Sequence, residues 1–340
     1  MADTGHSLTI GVDIGGTKVA AGVVTPGGRI LARSRTQTPG RSKSPQVVED
    51  TIVSLVEELR REFRVRAVGV GAAGFVDERR AEVLFAPHLS WRREPLRDSL
   101  SLRLGLPVVV ENDANASAWA EVRAGAGRGV DDLVVVNLGT GIGGAVVLDG
   151  RLRRGRYGLA GEFGHMTVVP GGHLCECGNR GCWEQYASGN ALAREARALV
   201  LSESPVAGAL HQAVGGDARQ VTGSLVSELA RKGDRVCGEL MRDAGEWLGA
   251  GLADLAAAFD PELFIVGGGV SEAGDLLLEP AREIFGRNLT GRGYRPEARV
   301  VAAALGNDAG LIGAADLARE ALPRWHQRRR QRRLGGFGRG

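Results

Sequence analysis

The chain has no apolar run approaching the ~18 residues that a membrane-spanning helix needs, which argues against an integral membrane protein. Its opening residues, Met1-Ala2-Asp3-Thr4-Gly5-His6, lack the basic and apolar regions of a secretory signal, so a cytoplasmic location is expected. Cysteine is scarce, with four in 340 residues, too few and too unevenly spaced for a disulfide framework. Three of them cluster at Cys175, Cys177 and Cys182, which favours a metal, and the fourth, Cys237, reads as a small buried apolar residue. Lysine is almost missing: only Lys18, Lys43 and Lys232 occur, and arginine carries nearly all the positive charge. The net charge of +3 comes from the last 17 residues, which hold seven Arg and no acid and leave −4 for the rest, so a basic nucleic-acid-binding body is not expected.

What remains is ordinary for a globular protein, with 24% charged and 43% hydrophobic residues and enough length for two lobes with their own cores. Glycine is abundant at 52 residues, and it is not scattered. Leu8 to Ile14, then Gly15-Gly16-Thr17-Lys18, then Val19 to Val24 reads as strand, tight turn, strand. Leu133 to Leu138, Gly139-Thr140-Gly141-Ile142-Gly143-Gly144 and Ala145 to Leu148 repeat the same grammar, a weak internal repeat that suggests two related lobes. A third apolar run, Leu263 to Val266, ends in Gly267-Gly268-Gly269. Glycines let backbone N–H groups face an anion with no Cβ in the way. Thr17 or Thr140 could add a hydroxyl donor, and an Asp at a strand end such as Asp13 could hold Mg²⁺ through water. Neither hairpin has the P-loop spacing or the dinucleotide-binding fingerprint.

Two further segments carry chemistry. Val108-Val109-Val110-Glu111 ends in Asn112-Asp113, ahead of a helix expected over 116–124. Ligands collect at strand ends in α/β sheets. Asn112 suits a sugar hydroxyl and Asp113 could accept a hydroxyl proton; equally, the pair could merely cap the helix. Glu162-Phe163-Gly164-His165 and Cys175 to Glu184 supply one His and three Cys within eighteen residues, sufficient for a tetrahedral Zn²⁺ site. Glu162 and Glu184 lie beside these ligands; they either serve a site that the metal organises or are solvated charges on a structural knuckle. Elsewhere, helices are expected over 44–63, 239–259 and 307–322, with Pro323 as the stop, and a strand over 67–70 precedes a loop Gly71-Ala72-Ala73-Gly74.

In combination these segments resemble the ROK family of bacterial sugar kinases and sugar-sensing repressors, from Leu8 to about Leu322. Asp13 to Lys18 and Asn137 to Gly144 resemble its two phosphate motifs, Ile265 to Gly269 its adenosine segment, and Glu162 to His165 with Cys175 to Glu184 its sugar and zinc signatures. Gly181 to Gly189 resembles the glucokinase branch. The resemblance implies an α/β, two-lobed ribonuclease-H-like (actin/hexokinase) ATPase fold with an inserted zinc loop. The implied division is a small lobe of residues 1–117 plus 306–322, a large lobe of 118–305 with the zinc loop at 165–184, and a disordered Arg/Gly-rich tail at 323–340.

It further implies phosphoryl transfer from Mg·ATP to glucose, with Asp113 as general base and Gly74, Asn112, Asp113, Glu162, His165 and Glu184 around the sugar. Asp13, Gly15, Gly16, Thr17, Lys18, Gly139, Thr140, Gly141, Gly267, Gly268 and Gly269 would hold ATP and Mg²⁺. His165, Cys175, Cys177 and Cys182 would hold Zn²⁺, with one ring nitrogen of His165 on the metal and the other on the sugar. A homodimer or homotetramer acting on small molecules, with no nucleic-acid or membrane partner, is expected. Kinases for mannose, fructose, N-acetylmannosamine or N-acetylglucosamine, and polyphosphate as donor, remain alternatives. A repressor is disfavoured because the first phosphate motif begins at Asp13, leaving no room for a preceding DNA-binding domain. Ala73, His88 and Ala145 depart from the commoner family residues.

Overall fold

The structure, a computed structural model, describes residues 8–335. The described chain divides into two compact units, one holding residues up to Arg128, Arg154–Ala160 and everything from Asn307, the other holding Gly129–Arg153 and Gly161–Gly306. The division thus falls later than residue 117, and the first unit reclaims a short segment from the middle of the second.

The first unit opens with β1 (Thr9–Ile14), β2 (Lys18–Val24) and β3 (Ile30–Gln37), followed by α1 (Pro45–Arg60) and β4 (Val68–Ala72). Three short strands, β5 (Phe75–Val76), β6 (Val83–Phe85) and β7 (Arg92–Glu94), form a small separate sheet. Then come α2 (Leu96–Leu104), β8 (Val108–Asn112) and α3 (Asp113–Ala124). The second unit contributes β9 (Leu133–Leu138), β10 (Ile142–Leu148), β11 (Arg151–Arg153), α4 (Glu184–Ala187), α5 (Gly189–Leu201), α6 (Gly208–Val214), α7 (Gly223–Arg231), α8 (Arg235–Phe259), β12 (Leu263–Gly267), α9 (Asp275–Asn288) and β13 (Arg299–Ala302). The chain then returns to the first unit as α10 (Ala309–Gly335).

The glycine hairpins are the seeds of two sheets with one topology. The first runs β3-β2-β1-β4-β8 and the second β11-β10-β9-β12-β13. In each, the second strand lies antiparallel to the first and third, and the last two run parallel to the first. The internal repeat is therefore structural, and the mixed sheets are those of a hexokinase-like ATPase fold. Strands buried on both faces need continuous apolar runs, and β1, β4, β9 and β12 supply them.

Close helix packing depends on glycine. A Cβ on Gly11 or Gly69 would fall 1.9 or 1.8 Å from a backbone carbonyl oxygen of α10, so α10 can lie directly on β1 and β4. In the second unit, Gly245 and Gly249 of α8 do the same against α9. The apolar spacing predicts a buried stripe of Val48, Ile52, Leu55, Val56, Leu59 and Phe63; the first five are buried on α1, while Phe63 lies past its end and is half-buried, and Met241, Ala244, Leu248, Leu252 and Leu255 of α8 are buried as their spacing predicts. Several boundaries differ from expectation: α1 ends at Arg60, three residues early, and α8 begins at Arg235, four residues early. The strand expected to stop at Val70 runs to Ala72, so Gly71 and Ala72 belong to β4 and not to a loop. Helix α3 begins at Asp113, because Asn112 caps it. Helix α10 does not stop at Pro323 but continues to Gly335. A proline removes one helical hydrogen bond, yet the Arg and Gln residues that follow are strong helix formers, and the tail from 323 is helical through Gly335 instead of disordered. Residues 336–340 lie outside the described residues.

Candidate active site

In the first unit, strand register brings two sequence candidates, Asp13 and Asn112, to one sheet edge. Asp13 pairs with Gly71, and Gly71 with Glu111; Ile14 pairs with Ala72, and Ala72 with Asn112. The carboxyl ends of β1, β4 and β8 are therefore level, and this edge is where parallel α/β sheets place ligands. The turn Gly15–Thr17 is closed by Gly15 N–H donating to the Lys18 carbonyl at 3.0 Å and held from outside by Thr38, whose hydroxyl donates to the Gly15 carbonyl at 2.7 Å. Gly16, Thr17 and Lys18 are exposed, leaving the turn open to a ligand. Burial raises the Asp13 carboxyl above the ordinary carboxylate range, with Lys18 opposing; a bound cation would reverse that preference.

Asn112 is a cap, one of the two roles that the sequence left open. Its Oδ1 accepts the N–H of Asn115 at 3.0 Å, a true N-cap, and its Nδ2 donates to the Gly74 carbonyl at 3.1 Å. An amide has a second N–H and a second lone pair, so the cap leaves one of each for a hydroxyl. Gly74 is pinned in turn: a Cβ there would lie 2.4 Å from the Phe85 carbonyl oxygen. Asp113 follows at the first position of α3.

The second unit carries the other set. The 3₁₀ turn Phe163–His165 presents Glu162 and His165. A tight loop closed by Cys175 N–H to the Asn179 carbonyl at 2.8 Å presents Cys175 and Cys177, with Gly178 at φ 94° making the turn possible. Cys182 precedes the fully buried Trp183, whose indole N–H donates to the Trp247 carbonyl of α8 at 2.9 Å and anchors the loop. Tyr186 packs between His173 and Trp247 in tilted ring contacts, with centroids 5.3 and 4.8 Å away.

The ligand atoms of His165, Cys175, Cys177 and Cys182 all lie within 4.8 Å of one another. Cys177 Sγ is 3.7 Å from Cys182 Sγ, and Cys175 Sγ is 3.6 Å from His165 Nδ1. A tetrahedral Zn²⁺ with bonds of ~2.3 Å to sulfur and ~2.0 Å to nitrogen has edges of roughly 3.5–3.8 Å, so the donor set fits the ion. It is Nδ1 that faces the cysteines, which leaves Nε2 for another partner.

Glu184 lies beside this cluster without belonging to it. Its Oε1 accepts the Cys175 thiol proton at 3.0 Å and sits 3.7 Å from His165 Nδ1, while Oε2 faces the Ile142 N–H of the second glycine turn at 3.4 Å. Burial raises the Glu162 carboxyl; His165 pulls it back and Glu184 pushes it up, which places the three groups in one electrostatic neighbourhood. Gly139–Gly141 is held at its other side by Gly189 N–H donating to the Gly139 carbonyl at 2.9 Å. Gly267 ends β12 level with Asn137, Gly268 has φ 84°, and Gly269 starts a 3₁₀ turn. Cys237 is fully buried, and burial followed by Asp234 pushes its thiol up to about 12, which fits the inert role expected of it.

Sequence reading missed Glu111, Arg80 and Arg154, a charge cluster next to Asn112 in which Glu111 is buried and the two arginines are half-buried. The available signal was an acid closing an apolar strand.

With this geometry in hand, the comparisons are unambiguous about class. The sequence profile of the ROK family matches residues 9–321, and the chain belongs to that family. It is 51% identical to a glucokinase of Streptomyces coelicolor over 316 residues, covering 93% of this chain and 99% of that one. A glucokinase of Thermotoga maritima is 36% identical over 92% of this chain and 98% of its own. A crystal structure of a ROK family glucokinase from Streptomyces griseus in complex with glucose and AMPPNP superposes with a TM-score of 0.84 at 54% identity, covering 92% of this chain and 99% of that chain. No helix among the described residues is long and apolar enough to cross a membrane.

Proposed function

We propose that this chain is a glucokinase that transfers a phosphoryl group from ATP to the 6-hydroxyl of glucose. The observation that carries the reading is 51% identity to a glucokinase along nearly the whole chain, in a molecule that keeps Asn112 and Asp113 at a carboxyl sheet edge and Glu162, His165 and Glu184 beside a zinc-competent cluster.

Asp113 is the general base. For this base, placement matters more than basicity. Asn112, Gly74, Glu162, Glu184 and Nε2 of His165 hold the sugar hydroxyls. Gly15, Gly16, Thr17 and Lys18 with Gly139, Thr140 and Gly141 hold the phosphates through backbone N–H and hydroxyl donors, and Gly267, Gly268 and Gly269 admit the nucleoside. Mg²⁺, held near Asp13, supplies neutralising charge for the transferred group. Zn²⁺ at His165, Cys175, Cys177 and Cys182 holds the loop that carries Glu184 and fixes the tautomer of His165. A cytoplasmic setting suits three thiols kept as metal ligands.

A coupled assay of the purified protein against glucose, mannose, fructose, N-acetylmannosamine and N-acetylglucosamine, with ATP and polyphosphate as donors, tests the reading. The expected result is the highest kcat/KM for glucose with ATP; a higher value for another pair would replace it.

A further inference from the structure

Glu111 closes the apolar run of β8 and is only 3% exposed. A carboxylate so placed needs charge partners and hydrogen bonds, and it has two arginines and three hydrogen bonds. Oε2 accepts from Arg154 Nε at 2.6 Å, with Arg80 Nη1 3.8 Å away. Oε1 accepts the backbone N–H of Asn112 at 3.2 Å and the side-chain amide of Asn115 at 3.1 Å. Two arginines from separate segments meet on this one group, and Arg80 does so from a left-handed backbone at φ 54°, a conformation that costs a non-glycine residue free energy.

The donors on Oε1 are the backbone of the residue before Asp113 and the side chain of the residue whose N–H the Asn112 cap receives. The carboxylate thus grips the strand-to-helix turn from behind. Arg154 opens the short segment 154–160 that the first unit reclaims from the sequence of the second, and Glu162 follows eight residues later.

We propose that Glu111, braced by Arg154 and Arg80, is a positioning residue for catalysis: it fixes the angle at which β8 delivers Asn112 and Asp113 to the sugar. The proposal rests on the reading of Asp113 as base. It separates Glu111 from a carboxylate that merely stabilises the unit, and the molecule supplies a matched control. Glu49 is also 3% exposed, in the same unit, but it lies on α1 and meets the Ser99 hydroxyl and Arg103, the latter at 3.4 Å, on α2.

The test compares Glu111→Gln, Arg154→Met, Arg154→Lys and Glu49→Gln with the wild-type chain. Glu111→Gln and Arg154→Met should each lower kcat for glucose by about tenfold or more with KM changed far less, because a shift of a fraction of an ångström at the base acts on chemistry before binding. Arg154→Lys, which keeps the charge, should recover most of kcat, and the double variant Glu111→Gln/Arg154→Met should be no worse than the poorer single one. Glu49→Gln should lower Tm while leaving kcat per folded molecule unchanged. If Glu111→Gln and Arg154→Met behave like Glu49→Gln, the role is structural and the proposal is overturned. Hydrogen exchange over residues 108–115 gives a readout independent of the sugar. It should quicken in Arg154→Met and not in Glu49→Gln; unchanged exchange would overturn the proposal even if the wild-type chain fails to phosphorylate glucose, a failure that by itself refutes the proposed function.

Discussion

Replacing Gly141 with alanine should damage glucose phosphorylation through Glu184. An ideal Cβ at residue 141 lies 2.4 Å from Glu184 Oε2 and 3.5 Å from its Cδ, and it meets no other atom within 4 Å. Ordinary carbon–oxygen contact needs a separation of roughly 3.3 Å, so the carboxylate must retreat by about 1 Å. It has little room to do so, since Oε1 is already 3.0 Å from Cys175 Sγ and 3.7 Å from His165 Nδ1. The backbone itself tolerates the change, because Gly141 does not have a positive φ. The variant should therefore fold and retain the zinc ligands. A displacement of about 1 Å in a positioning group can cost about 10²-fold, and Glu184 is proposed to bind sugar, so kcat/KM for glucose should fall by about that factor with KM for glucose rising. Steady-state kinetics at saturating ATP, with metal analysis of the same sample, measures it. The same methyl at Gly139 meets nothing within 4 Å, so Gly139→Ala reports on the nucleotide alone. If Gly141→Ala keeps wild-type KM for glucose with zinc still bound, Glu184 is not a sugar ligand set by this contact.

The remaining predictions are shorter. Purified protein should contain about one zinc per chain, the one ion a Cys₃His set closes around; Cys177→Ala should lose both metal and kinase activity, and full activity in a demonstrably metal-free Cys177→Ala would separate zinc from the sugar site. Asp113→Asn should lower kcat by ~10²–10⁴-fold, the usual effect of losing a general base, with glucose binding followed by calorimetry changed much less; retention of more than about a tenth of kcat with chemistry rate-limiting would remove Asp113 from that role. Truncation after Pro323 should leave kcat/KM for glucose nearly unchanged, because the last fully buried residue among the described side chains of α10 is Ala318; a tenfold drop would show that the later part of α10 matters to catalysis.

The parts of this molecule that could be read from sequence are those whose physics is local. A strand, a glycine turn and a strand make a hairpin within sixteen residues, and the two copies at Thr9–Val24 and Leu133–Leu148 suggest two related lobes, which the structure builds as two sheets of one plan. Metal spacing is local as well, since Cys175, Cys177 and Cys182 sit on one loop. The misreadings arose where two local rules compete. Pro323 argues for a helix end, but the helix formers around it carry α10 onward. Asn112 reads as a cap or as a ligand, and only the observed bonds, one from Oδ1 and one from Nδ2, show that the cap leaves capacity for a ligand.

What could not be read is what only the folded chain brings together. Glu111 meets Arg80 and Arg154, which lie 31 and 43 residues away in opposite directions. Glu184 meets the turn at Gly141 and Ile142, more than forty residues upstream. In both cases a carboxylate faces its proposed functional neighbour with one oxygen and is fixed through the other. Glu111 turns Oε1 to Asn112 and Oε2 to the arginines; Glu184 turns Oε1 to the zinc ligands and Oε2 to the glycine turn. A carboxylate with one oxygen anchored loses its freedom to rotate, and that pre-set orientation is what positional catalysis by a base such as Asp113 requires of its surroundings.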